Sequence, residues 1–188
     1  MTGPLMWFAN RATGIVLLVL CTLVVVLGVL ATVLPARPRR RLPSFVGQSL
    51  HRSSALLAVG LLGAHLATAV VDDYVDIGWR DAIVPFVGSY RPVFLGLGTL
   101  AVDLLLAVVV TALLRHRVPE RLWRPLHLLS YAAWGLSVWH GIGIGTDVGS
   151  PWGRWIVAGC VAVVVVALVT RLVAHRAARP TLARTGVR

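Results

Sequence analysis

Lysine is missing from this chain, so all 18 of its basic side chains are arginine, and they face only 7 acidic residues. Charged residues make up 13% of the sequence and hydrophobic ones 57%, too little polar surface to keep a soluble domain of this size dispersed. Cysteine is scarce: Cys21 and Cys160 both fall inside apolar runs, with no CxxC or CxxCH spacing. That excludes a disulfide framework and covalently attached haem, and leaves the two thiols as small core residues. A Gly-rich fingerprint following a strand is also missing, so no nicotinamide-binding unit is readable in these 188 residues.

Long apolar runs are plentiful. Five approach the roughly 20 residues needed to cross a hydrocarbon core: Thr13 to Leu34, His51 to Val71, Val93 to Leu114, Leu126 to Ile144, and Trp155 to Val173. A formal charge of +11 would suggest nucleic acid in a soluble protein, but its distribution does not. Arg37, Arg39, Arg40 and Arg41 follow the first run, and Arg115, Arg117, Arg121 and Arg124 separate the third and fourth. Arg171, Arg176, Arg179, Arg184 and Arg188 lie at or beyond the end of the fifth. The alternate ends hold Arg11, Arg80, Arg91 and Arg154 with Asp72, Asp73, Asp76, Asp81 and Asp147. Basic loops stay cytoplasmic, so the N-terminus is expected outside and the C-terminus inside, with no nucleic-acid partner. The first run is too long for a cleaved signal and its positive charge follows it, so it reads as a retained helix. Trp7, Trp79, Trp152 and Trp155 fall on the external side, where indoles favour headgroups. Trp79, Ile83, Val84 and Phe86 in the longest connection suit a short interfacial segment.

Four histidines lie on two of these runs. His51 and His65 are 14 positions apart, and His127 and His140 are 13 apart. Both runs start inside and end outside, so His51 shares a depth with His127 and His65 with His140, the two levels being roughly 20 Å apart. Two facing imidazoles at each depth can bind two haems stacked across the bilayer. Ligation from both sides leaves the iron no vacancy and suits reversible electron transfer. The 14-residue step ends about 40° short of whole turns, but the 13-residue step ends about 140° short. The fourth run is therefore expected to contain a π-bulge, eased by Gly135 or Gly141, or to use a different rotamer. From depth alone, Arg52 and Arg124 would balance the propionates of the inner haem, and Arg11, Arg91 or Arg154 those of the outer one.

Other residues carry paired readings. Asp103, mid-span, is either a partner or proton relay for an imidazole or a structural bond to Ser, Thr or Tyr on a neighbouring helix. Asp72, Asp73 and Asp76 could attract ferric species, though a solvated loop accounts for them better. Tyr131, Trp134 and Trp139 could pack on porphyrin or simply between helices. The GIGIG of Gly141 to Gly145 ends a membrane run and reads as close packing rather than a phosphate loop. His116 and His175 sit among arginines and should be solvated.

The two histidine spacings resemble those of the ferric reductase-like transmembrane domain, the family of ferric reductases and the membrane part of NADPH oxidases. Three phrases are similar to its short bacterial members: WFANRATG at Trp7 to Gly14, GWRDAIVPFVGSYRP at Gly78 to Pro92, and WRPLHLLSYAAWGLSVWHG at Trp123 to Gly141. The resemblance implies that His51 and His127 ligate the inner haem and His65 and His140 the outer one. It also implies a bacterial plasma membrane location. Fuller members carry a cytoplasmic flavin and nicotinamide domain that is not readable here, so electrons are expected from a separate flavoprotein or from quinol, unless the direction is reversed.

The expectation is an all-α, integral five-helix bundle: a di-haem domain over residues 1–175 and an Arg-rich, disordered cytoplasmic tail over 176–188. It would hold two haem b groups and pass electrons between that donor and an external acceptor, namely ferric iron, oxygen or a flavin-bearing partner protein. A histidine-based transition-metal transporter and a non-haem structural subunit are the competing readings.

Overall fold

The computed structural model describes residues 3–33, 44–72 and 75–184, and among these every regular element is helical. Arg37, Arg39, Arg40, Arg41, Asp73 and Arg188 lie outside the described residues. The elements are α1 (Gly3–Val33), α2 (Ser44–Val71), a one-turn α3 (Trp79–Ile83), α4 (Pro92–Leu113), α5 (Glu120–Ile144), a 3-10 turn (Thr146–Gly149) and α6 (Pro151–Arg184).

Helix starts follow local chemistry. Pro92 and Pro151 open α4 and α6 at positions where the missing N–H has no intrahelical partner to lose. The Ser150 hydroxyl accepts a hydrogen bond from the Gly153 amide at 3.2 Å and so caps α6. The helices outrun the apolar stretches that define them: α1 starts near the N-terminus, and α6 is 34 residues long. The helix α6 is drawn through Arg184, across Pro180 and over the segment that the sequence reading set apart as a tail.

Four helices are long and apolar enough to cross a membrane, over Leu5–Val33, Val46–Val71, Pro92–Leu113 and Pro151–Ala177. At 25 residues, or roughly 37 Å, α5 is also long enough. Its composition keeps it out of that set, because His127, His140, Ser130, Ser137 and tryptophans 123, 134 and 139 dilute its aliphatic residues. Outward faces are strongly apolar: Leu56, Leu57, Leu106, Val166, Val169 and Val173 are all exposed, as a lipid-facing surface requires. Trp79, Trp152 and Trp155 are exposed as well, at the end of the bundle that carries α3 and the 3-10 turn.

The most extensive packing joins α4 to α5 and α1 to α2, and α1 also packs on α6 and on α5. The helices α2 and α5 make no extended contact with each other. Small residues bring the packed pairs together. Phe94 of α4 lies against Gly143, where any side chain would collide with its ring. Between α1 and α5 the Trp134 indole donates to the Thr22 hydroxyl at 3.0 Å, which in turn donates to the Leu18 carbonyl. The segment before α4 is hooked down by buried Thr99, whose hydroxyl donates to the Asp81 carbonyl at 2.7 Å.

Candidate functional site

The histidine-bearing helices α2 and α5, which scarcely touch through their backbones, approach each other through imidazoles. The rings of His51 and His127 have centroids 6.2 Å apart and planes inclined by 63°. Two metal–imidazole bonds of about 2 Å each, with about 1.2 Å from nitrogen to ring centre at either end, bring two centroids to roughly 6.4 Å. A direct edge-to-face ring pair can span the same distance. Nδ1 of His51 lies 3.0 Å from the Val24 carbonyl of α1, and a carbonyl only accepts, so Nδ1 carries the proton. The lone pair is then on Nε2, on the opposite edge of the ring. The second pair repeats this arrangement. Nδ1 of His65 donates to the Asn10 carbonyl at 3.1 Å, and Nδ1 of His140 donates to the Phe94 carbonyl at 2.9 Å. His65 and His140 lie within electrostatic reach of each other. A ring N–H tied to a carbonyl is how a metal-ligating imidazole is usually oriented.

Helix α1 forms the back wall of α2. It runs antiparallel, so that Gly28 stands beside His51 and Gly14 beside His65. A Cβ on Gly28 would come 3.3 Å from Cε1 of His51, and one on Gly14 would come 3.1 Å from Cε1 of His65. Both glycines and both histidines are spaced by 14 residues, so the register holds at both levels. Asn10 contributes twice more: its amide donates to the His65 carbonyl at 2.9 Å and to the Thr68 hydroxyl at 3.1 Å. The Thr13 hydroxyl lies 3.2 Å from Nδ1 of His65. Gly98 of α4 does for His140 what Gly14 does for His65, at still closer range. None of these supporting residues was singled out from the sequence. The equal spacing of the glycine and histidine pairs was the available signal.

The 13-residue step is accommodated without a π turn, since α5 is α-helical from end to end. Its two imidazoles enter different settings instead. His140 is bonded to α4, whereas His127 stacks on Trp123 of its own helix, with centroids 4.8 Å apart and an interplanar angle of 15°. Nothing lies within 4 Å of a Cβ built on Gly135 or Gly141.

The arginines named from depth have these protein partners. Arg11 forms a two-point pair with Asp147 (Nε to Oδ2 at 2.8 Å), with side chains only 26% and 12% exposed, and its guanidinium lies over Trp7. Arg91 has a left-handed backbone (φ 39°) and donates to the Gly143 carbonyl. Arg124 pairs with Glu120 one turn away and is 72% exposed. Arg52 and Arg154 are exposed. Arg171, which sequence reasoning left among the cytoplasmic cluster, instead donates to the Tyr131 hydroxyl at 3.1 Å. Trp134 serves helix packing through Thr22, and Trp139 is 60% exposed. Asp103 is half-buried and makes no hydrogen bond or ion pair among the described residues, to imidazole or to hydroxyl. His116 and His175 are exposed, as expected. Cys160 is buried and Cys21 half-buried, both as free thiols.

Among the described residues no group of three or more His, Cys, Asp or Glu side chains could hold a metal ion. Compared with family models, curated proteins and solved structures, the chain matches none.

Proposed function

We propose that the chain is a membrane electron carrier holding two b-type haems between α2 and α5, one clasped by His51 and His127 and the other by His65 and His140. The observation that carries this reading is the 6.2 Å separation of the His51 and His127 rings across two helices that otherwise avoid each other. Supporting it, three of the four imidazoles have Nδ1 engaged by a backbone carbonyl, leaving Nε2 free to ligate.

In this reading α5 is a fifth membrane span, packed against α4 and α1, which are both apolar spans. The arginine-rich ends lie in the cytoplasm of a bacterial cell, with the N-terminus outside. That architecture is the one implied by the resemblance to ferric reductase-like transmembrane domains.

A haem with two imidazole ligands supplies reversible one-electron exchange without an open coordination position. The protein's own residues set the conditions for that. The carbonyls of Val24, Asn10 and Phe94 hold a proton on Nδ1 and fix the tautomer. Gly14, Gly28 and Gly98 let the backbone of α1 and α4 come up behind the rings. Electrons enter on the cytoplasmic side from a separate flavoprotein or quinol. They leave outside, to ferric iron, oxygen or a flavin-bearing partner.

Absorption spectroscopy tests this directly. The purified protein should show reducible Soret and α bands at about two haems per chain, and replacing any one of the four histidines by alanine should remove about half of the signal. A colourless preparation, or one carrying zinc or copper instead, overturns the reading.

A further inference from the structure

Of the four imidazoles, one is held differently. His51, His65 and His140 each have a carbonyl on Nδ1 and a glycine at their flank. His127 has neither: its Nδ1 is buried with no hydrogen-bond partner, and among the described residues no glycine lies against it. Its support is the Trp123 indole, stacked face to face four residues earlier on α5. That indole is itself under the Arg115 guanidinium, 4.7 Å from its ring centroid, and its own N–H is buried and unpaired.

Resting on the di-haem reading, we infer that His127 is the exchangeable axial ligand, that the inner haem is where a small neutral diatomic ligand enters, and that Trp123 is the residue positioning His127 against that exchange. A stacked ring sets the plane of an imidazole but not its rotation within the plane. An N–H to carbonyl bond sets both and raises the basicity of the ligating nitrogen. Loss of such an outer partner typically weakens metal holding by about 10–100-fold. Swinging His127 out of the clasp also gives its unpaired N–H access to water, so leaving relieves an unsatisfied group rather than creating one. The outer haem has no comparable weak point, since both of its ligands are tied to carbonyls. The incoming ligand takes the coordination position that Nε2 of His127 vacates, and no electron is transferred in that exchange.

Carbon monoxide added to the dithionite-reduced protein is the probe. The expected result is binding at about half of the haem, with the other half unchanged at concentrations about 10–100-fold higher. Trp123→Leu should raise the apparent affinity of the reactive half, and Trp123→Phe, which keeps a stacking ring, should stay close to the unsubstituted protein. Binding at neither haem, or equally at both, overturns the inference while leaving the di-haem reading intact. So does reactivity at half of the haem that is indifferent to Trp123. If Trp123→Leu does not fold, the unsubstituted protein and Trp123→Phe still decide the stoichiometry. A preparation without haem overturns the di-haem reading, and this inference with it.

Discussion

Gly98 stands so close to His140 that a Cβ built on it would collide with Nδ1 and Cε1 of the imidazole. The imidazole is thus confined between the α4 backbone and the space facing α2, with the Phe94 carbonyl as its anchor. Gly98→Ala must move the ring off that anchor. The expected outcome is loss of about half of the haem absorbance, read per mole of purified protein. Gly14→Ala and Gly28→Ala, with contacts at 3.1 and 3.3 Å, should shift the spectrum less, and Gly135→Ala, where the space is open, should not shift it. An unaltered spectrum in Gly98→Ala would mean that His140 ligates nothing.

Asn10 supports His65 with two different groups, and substitution separates them. Asn10→Ala removes the side-chain bonds to the His65 carbonyl and the Thr68 hydroxyl but keeps the backbone carbonyl that accepts from Nδ1. Stability in detergent should fall by about 1–3 kcal/mol, seen as a lower thermal midpoint, while both haems stay bound. Loss of one haem at unchanged stability is the contrary result.

Arg11 and Asp147 join α1 to the 3-10 turn before α6 through two contacts on one largely buried carboxylate. Removing either partner strands the other, so Arg11→Ala and Asp147→Ala should each destabilise, and the double variant should lose less than their total. A coupling of about 0.5–3 kcal/mol is expected from a double-mutant cycle of thermal or denaturant unfolding. Strict additivity would show that the pair contributes nothing of its own.

The crossing of α5 is a matter of parity. Tags at the two ends of the chain should be reached by an impermeant label from opposite faces of the membrane, because only an odd number of crossings separates them. Single cysteines at Arg117 and Gly149, on either side of α5, should likewise label from opposite faces. Native Cys160 is buried and Cys21 half-buried, which keeps the background low. Labelling of both tags from one face would reduce the spans to the four apolar helices and take α5 out of the bilayer.

Much of this was legible in the residues. Depth follows from counting along a helix, so the two levels of histidine could be read before any fold was known. The Trp123 and His127 stack was within reach too, since residues four apart share a helix face. Direction around the helix was harder. Depth pointed to Arg11, Arg91 and Arg124, but counting along one helix said nothing of their protein partners, Asp147, Gly143 and Glu120. Asp103 was expected to find a partner, and its side chain makes none among the described residues.

Hydropathy and spacing along the chain were enough to determine a helical, membrane-type protein with imidazoles at two heights, since both are properties of one segment at a time. What stands behind each imidazole was decided only when helices met. The pairing of Gly14 with His65, of Gly28 with His51 and of Gly98 with His140 depends on the register between separate helices, and no local pattern encodes it. The same holds for His127, whose buried Nδ1 meets no acceptor among the described residues.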